Sequence, residues 1–181
     1  STITPSISAA QAAANAAQAS GQSLSPPFES WPGHSSYVTS VSDGAEGNTV
    51  VRVATSSNFN DGIFHPIDTS RKYKTRFWAR AAAGTNGILY HDLQQFLDNS
   101  GTTCATNGGR SPYFPSGVAA HTGWVLYEHV WQTGDWQAGV KYVRPDWLGN
   151  YAGSTGYWEI QGYKFWDVTE VETAATTATW T

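Results

Sequence analysis

The stretch that decides the fold is residues 156–168, "GYWEIQGYKFWDV", in which five of thirteen residues are large aromatic residues. A strand of period two divides it into two faces. One face carries Tyr157, Glu159, Gln161, Tyr163, Phe165 and Asp167. The other face carries Trp158, Ile160, Gly162, Lys164, Trp166 and Val168. We predict that the second face is core. The first mixes rings with hydrogen-bonding groups, which fits either a sugar-binding face or a face covered by a loop or a neighbouring subunit.

Other segments of the chain carry the same strand signals. "RKYKTRFWARA" alternates strictly, with Tyr73, Thr75, Phe77 and Ala79 on one side and Lys74, Arg76, Trp78 and Arg80 on the other. "TVVRVATS", "GILYHDLQQFLDNSG", "GWVLYEHVWQ" and "GVKYVRPDW" are further candidate strands, separated by Gly, Asn and Asp turns. In "YHDL", His91 and Asp92 are neighbours and should face opposite ways. The pattern predicts an all-β, antiparallel sandwich.

Composition excludes several classes of function. The chain has 181 residues, 13% of them charged, and a net charge of −4, which argues against nucleic-acid binding. No apolar run approaches the ~20 residues of a membrane span, so we expect no membrane insertion. The aromatic content of 14%, with abundant Gly, Ser and Thr, is typical of an extracellular or virion β protein.

Ala-rich segments flank the predicted sandwich. Residues 7–21, "ISAAQAAANAAQASG", favour a short helix, and Ile3, Ile7, Ala10, Ala14 and Ala17 follow steps of four and three. This pattern fits either a coiled-coil stalk, which would make a homotrimer, or a solvated linker helix. We therefore predict a helical stalk or linker over 1–24, a domain over 25–171 and a connector over 172–181.

The order of motifs adds a resemblance. "FESW", "GNTVVRV", "GIFHPIDTSRKYKTRFWAR", "GWVLYEHVW" and "VRPDWLGNYAGSTGYWEIQGYKFWDV" follow one another over roughly residues 28–170. This order resembles the jelly-roll carbohydrate-binding modules attached to xylanases, and more closely the versions embedded in phage tail and tail-fibre proteins. The resemblance implies a jelly roll located in a virion. Its implied partners are a bacterial surface polysaccharide or oligosaccharide and other tail proteins.

The same resemblance implies a structural calcium ion where the first strand meets the last. Carried over by motif, its ligands would be Glu29 and Asp167, with backbone carbonyls completing the oxygen shell. Glu46, in "DGAEGN", is either a further ligand or an ordinary turn acid. The alternative is that Glu29 and Asp167 are exposed carboxylates at strand ends.

Two loops carry the strongest binding signal. "WQTGDWQAG" and "RPDWLGNYAGSTGYW" display rings among Gly, Asn and Asp, where a core would not require them. We predict Trp136, Trp147 and Tyr151 as stacking residues, although each ring could equally serve packing. The nearest polar partners are Arg144, His129 and Asp146, and Arg144 could instead belong to the scaffold.

The sequence leaves two functions open. The first is a non-catalytic, carbohydrate-binding domain of a phage tail protein that aids host attachment. The second is a structural or assembly domain of a virion that binds no sugar. Glu128, Asp135, Asp146 and Glu159 could supply a glycosidase with carboxylates, but none lies in a recognisable catalytic signature, and we predict no enzymatic activity.

Overall fold

The computed structural model describes residues 21–31, 37–54 and 58–169, without the side chains of Glu29 and Asn58. Nearly all of the predicted stalk, and the whole of the predicted connector, lie outside these ranges. Their boundaries at 24/25 and 171/172 therefore stay predictions. Within the described part of the chain, no helix is long and apolar enough to cross a membrane.

The described chain is built from nine strands and two short 3₁₀ turns. The strands are β1 Val38–Ser40, β2 Thr49–Val53, β3 Asn58–Asn60, β4 His65–Pro66, β5 Tyr73–Ala81, β6 Ile88–Phe96, β7 Val125–Trp131, β8 Tyr142–Tyr151 and β9 Trp158–Asp167. The 3₁₀ turns are Phe28–Ser30 and Thr106–Gly109. Within the residues that the structure describes, the prediction of an all-β domain with antiparallel pairing is confirmed.

The strands form two antiparallel sheets. The first sheet has the order β1-β2-β9-β5-β7. In the second sheet β8 is central, with β3 and β4 on one side and β6 on the other. Rings from both sheets meet in one core, as when Phe77 of β5 meets Trp147 of β8 at 5.5 Å between centroids. The sheets therefore pack as a sandwich with an inner and an outer face each.

Strand β5 follows its sequence pattern along its whole length. Its burial alternates strictly over nine residues, with Tyr73, Thr75, Phe77 and Ala79 buried and Lys74, Arg76, Trp78 and Arg80 partly exposed. The predicted division of this strand into two faces is confirmed. Because β5 pairs with both β7 and β9, its side chains set the inner and outer faces of the first sheet.

Strand β9 departs from the predicted alternation at Gly162. The β5–β9 register shifts between Arg76 and Trp78, and Gly162 has φ of +64°. Before this bulge Trp158 and Ile160 face the core, whereas after it Tyr163 and Phe165 do. The prediction that Trp166 is core is therefore wrong. A bulge inserts one extra residue into a strand, so each later residue of that strand points to the face opposite to the one that simple alternation predicts.

Strand β8 is longer than the sequence indicated. We expected a strand that ends near residue 147 and then a Gly-rich loop, but β8 continues to Tyr151. Trp147 thus lies in the middle of a strand and points into the core, where its side chain is fully buried. The loop placement of both Trp147 and Tyr151 is wrong, because Gly149 and Asn150 are absorbed within the strand.

Candidate functional site

The outer face of the second sheet carries the densest group of rings and polar side chains. Alternation along β6 and β8 places on this face the side chains of Tyr90, Asp92, Gln94, Phe96, Tyr142, Arg144, Asp146 and Leu148. The neighbouring residues His91 and Trp147 point to the opposite, inner face, where both are fully buried. The prediction that His91 and Asp92 face opposite ways is confirmed.

A pocket of about 210 Å³ lies at one end of this face, and we call it the tyrosine pocket. Its walls are Tyr90, Asn107, Tyr113, Leu148 and Tyr151. The ring of Tyr90 meets those of Tyr113 and Tyr151 edge-on, at 5.1 and 5.6 Å between centroids. The Tyr151 side chain is 44% exposed, so this ring offers a free apolar surface beside phenolic hydroxyls.

One wall of the pocket comes from the connection between β6 and β7. We call residues 104–113 the cover segment. Asn107 Nδ2 donates to the Tyr113 hydroxyl at 3.1 Å, so two residues of this segment support each other at the pocket. Asn107, Gly108 and Gly109 have φ of +51°, +60° and +79°. These left-handed residues turn the segment back along β6, where the Gln94 side-chain amide donates to the Gly108 carbonyl.

Two carboxyl groups lie next to the pocket beneath the cover segment. Asp92 of β6 and Asp146 of β8 are direct cross-strand partners and are 1% and 0% exposed. Arg110 of the cover segment forms an ion pair with Asp146. Burial raises the pKa of Asp146 to about 6, and burial followed by the charge of Asp146 raises the pKa of Asp92 well above its ordinary value.

Arg144 occupies the other end of the same face. Its guanidinium donates to Gln94 Oε1 at 2.8 Å and lies over the rings of Phe64 and Phe96, at 5.4 and 5.1 Å from their centroids. These contacts fix the guanidinium plane against the sheet. The open alternative, that Arg144 belongs to the scaffold, is the one its contacts favour.

The structure thus brings three of the predicted ligand residues to one face. Arg144, Asp146 and Tyr151 all lie on the outer side of β8. Only Tyr151 is substantially exposed, because Asp146 is covered and Arg144 is held by its neighbours. Tyr151 is therefore the predicted residue best placed to contact a ligand.

The other three predicted residues lie elsewhere. Trp147 packs in the core and cannot stack on a ligand, so its predicted binding role is wrong. Trp136 is partly buried against Tyr73 and Trp131 and lines a different pocket, of about 530 Å³. His129 stacks on Phe114 at 3.5 Å between centroids, and its Nε2 lies 3.2 Å from Asp135. Burial lowers the pKa of the His129 imidazole.

The sequence did not identify Tyr90, Tyr113 and Asn107 as candidate binding residues. Tyr90 is an outward residue of a predicted strand, so its alternation with buried Leu89 could have identified it. Tyr113 and Asn107 reach the pocket only because the cover segment folds back over β6. No short-range pattern in "CATNGGRSPYF" indicates that path.

The outer face of the first sheet is rich in charge, but its charges are matched. Arg80 contacts both Asp43 and Glu159, and Arg52 also contacts Glu159. Arg76 pairs with Glu46, and Lys74 lies 3.3 Å from Glu128. Glu46 is therefore engaged by an arginine. This internal pairing leaves little net charge to attract an acidic polymer.

Of the two implied calcium ligands, only Asp167 has a described side chain, and both of its carboxylate oxygens already accept hydrogen bonds. Asp167 accepts a hydrogen bond from the Arg71 guanidinium on one oxygen and from the Thr169 backbone N–H on the other. A cation already neutralises this carboxylate, whereas calcium requires six to eight oxygen ligands. The Glu29 side chain lies outside the described residues. Within the described chain, no group of three or more His, Cys, Asp or Glu side chains is arranged to hold a metal.

Comparisons with known proteins bear on the fold alone. No protein-family model and no curated protein sequence matches this chain. A solved CBM4 carbohydrate-binding module is similar, at TM-score 0.43 and 14% identity over 69% of this chain and 87% of that one. The CBM22-1 xylan-binding domain of Paenibacillus barcinonensis Xyn10C gives 0.46 and 9% over 73% and 80%. The K1 cleaved adhesin domain of Lys-gingipain from Porphyromonas gingivalis W83 gives 0.43 and 13% over 80% and 98%.

Proposed function

We propose that this chain is a non-catalytic, jelly-roll carbohydrate-binding domain that takes a sugar residue in the tyrosine pocket. The observation that carries the proposal is the meeting of Tyr90, Tyr113 and Tyr151 in one open pocket on a sheet face. The apolar face of a pyranose stacks on an aromatic ring, while its hydroxyls require hydrogen-bonding partners. The phenolic hydroxyls and the Asn107 amide supply such partners at the same place.

The surroundings of the pocket support binding instead of catalysis. The two carboxyl groups nearest to it, Asp92 and Asp146, are fully covered and point beneath the cover segment. A glycosidase needs two carboxyl groups that reach the glycosidic bond from an open cleft. The volume of about 210 Å³ suits one sugar residue of a longer chain, with the rest of the glycan lying along the sheet face.

The test is a glycan array with the intact chain, including host capsule and lipopolysaccharide fractions, followed by calorimetry on any ligand found. Replacing Tyr151 by Ala should weaken binding at least tenfold, because the exposed ring supplies the stacking surface. The matched control is Val125→Ala, which shortens a side chain of similar exposure (40%) on the other sheet. Equal affinity of the Tyr151→Ala variant would overturn the assignment of the pocket.

A second candidate function is a structural domain that binds no sugar. The full burial of Trp147 favours it, because this ring had been expected on an open surface and instead serves packing. The two functions differ in what they require of Tyr151. A purely structural domain should bury this ring against a neighbouring subunit in the native assembly, whereas a binding domain should leave it accessible.

The biological setting that we propose is a phage tail or tail fibre, facing the outside of the virion. Its support is the pair of Ala-rich segments on both sides of the domain and the order of motifs described above. A trimer built through residues 1–24 would present three pockets and raise the avidity of weak single sites. Sedimentation of the intact chain tests this point, since a monomer would remove the stalk and the avidity that depends on it.

A further inference from the structure

Asp92 and Asp146 are two buried acidic side chains whose chemistry the proposed function does not use. They face each other across β6 and β8, on the outer side of the sheet, yet both are covered by the cover segment. Asp92 Oδ2 is buried and has no hydrogen-bond partner among the described residues, whereas Asn60, the cross-strand partner of Asp146 on β3, forms a side-chain hydrogen bond with the Asp146 carboxyl group. Two ionised carboxylates in adjacent positions without solvent repel each other strongly.

Two arginine residues lie near this pair, and one of them contacts it directly. Arg110 reaches Asp146 from the cover segment. Arg144, the other nearby cation, is held by Gln94 and two phenyl rings and forms no direct ion pair with either carboxyl group, although its charge partly offsets the rise that burial causes in both pKa values. Tyr113 lies above the pair. Beneath the sheet, His91 Nδ1 lies 2.8 Å from the Asp146 carbonyl, and burial lowers the His91 pKa to about 3, so this ring is neutral.

We propose that Asp92 and Asp146 hold one proton between them, on Asp92, and that the pair so protonated positions the Tyr113 wall of the tyrosine pocket. One negative charge then remains, on Asp146, and Arg110 matches it. Arg110 ties the cover segment to the sheet three residues before Tyr113. Both carboxyl groups are therefore positioning residues that act through Arg110, and they do not contact the sugar.

The direction of the pH dependence follows from the proton count. Burial raises the pKa of both carboxyl groups above the ordinary value near 4, so the closed cover segment binds protons that the open, hydrated one releases. Closure is therefore fully favoured below about pH 4 and weakens as the pH rises from there through the raised pKa values. An ordinary exposed salt bridge shows the opposite trend, because acid removes its carboxylate charge.

This inference concerns the regulation of the proposed glycan site, so its test must also work without a glycan. Hydrogen exchange of residues 104–113, corrected for the intrinsic rate, reports opening of the cover segment directly. From pH 6.5 to 8, above the pKa of about 6 of Asp146, we expect the protection factor to fall by up to about tenfold per pH unit, the limit for one bound proton. A flat or rising profile would overturn the proposal.

Asp92→Asn is the decisive variant. Asn is neutral and nearly isosteric with protonated Asp, so between pH 6.5 and 8 it should remove the pH dependence and keep the protection at pH 8 at least equal to that of the wild type at pH 6.5. The matched control is Glu128→Gln, which changes an exposed carboxyl group on the other sheet and should keep the wild-type profile. A wild-type slope in Asp92→Asn would contradict the placement of the proton.

Glycan affinity then separates the two proposals. If a ligand is found, its Kd should increase from pH 6.5 to 8 in the wild type and stay constant in Asp92→Asn. Silence of the glycan array together with a falling exchange profile would reject the binding function and keep the carboxyl pair. A bound glycan together with a flat exchange profile would keep the binding function and reject the proposed role of the carboxyl pair.

Discussion

The rings of Trp147 and His91 stack face to face in the core, 4.3 Å apart between centroids and 24° apart in plane. They are cross-strand partners in β8 and β6 and both are fully buried. The burial of His91 excludes its charged form, in agreement with its lowered pKa. This contact lies on the inner face of the second sheet, directly beneath the carboxyl pair of Asp92 and Asp146.

We expect Trp147→Ala to lower the free energy of unfolding by about 3–5 kcal/mol, the usual cost of removing a large ring from a core. Tyr151→Ala removes a ring on the same strand that is 44% exposed, and should cost about 1 kcal/mol or less. Chemical denaturation measures both. Similar losses in the two variants would contradict the different roles that the structure gives these residues.

Gly162→Ala should destabilise the domain by about 1–2 kcal/mol, because a side chain at φ of +64° is strained. A Cβ there would also lie 2.5 Å from Glu46 Oε2, although that flexible side chain could move. Gly123→Ala is the matched control, since a Cβ at that position meets no atom within 4 Å. A thermal melt in which both variants match the wild type would argue against the bulge in β9.

Calcium should leave the melting temperature unchanged, whether it is added or removed with a chelator. Arg71 and the Thr169 backbone already bind the two oxygens of Asp167, so an ion would have to displace a matched cation. Calorimetric scans with calcium and with chelator check this. A calcium-dependent rise that Asp167→Asn abolishes would restore the ion that the family resemblance implies.

The sequence was reliable where one strand obeys one period. β5 alternates without a Gly or a bulge, so both of its faces could be assigned residue by residue. β9 contains Gly162, and a period-two interpretation carried across it places Trp166 on the wrong face. A glycine within a strand signals that a bulge is possible, but the partner strands decide whether the register shifts.

The candidate site was predictable only in part, for a related reason. Arg144, Asp146 and Tyr151 were recognised because they are close in sequence, and the structure places them on one strand face. Tyr90 and Tyr113 are far apart along the chain and meet because the cover segment folds back over β6. Trp147 was misplaced because a ring beside Gly149 resembles a loop residue until the strand is seen to continue.

The sequence by itself determined that the chain forms antiparallel strands, because hydrophobic alternation and turn residues act locally along the backbone. It also determined the net charge of −4. Only the tertiary structure decided which rings are buried and which are open, since that depends on bulges and on which segment covers which sheet. The tyrosine pocket and the buried carboxyl pair are products of that covering, which joins residues distant in sequence.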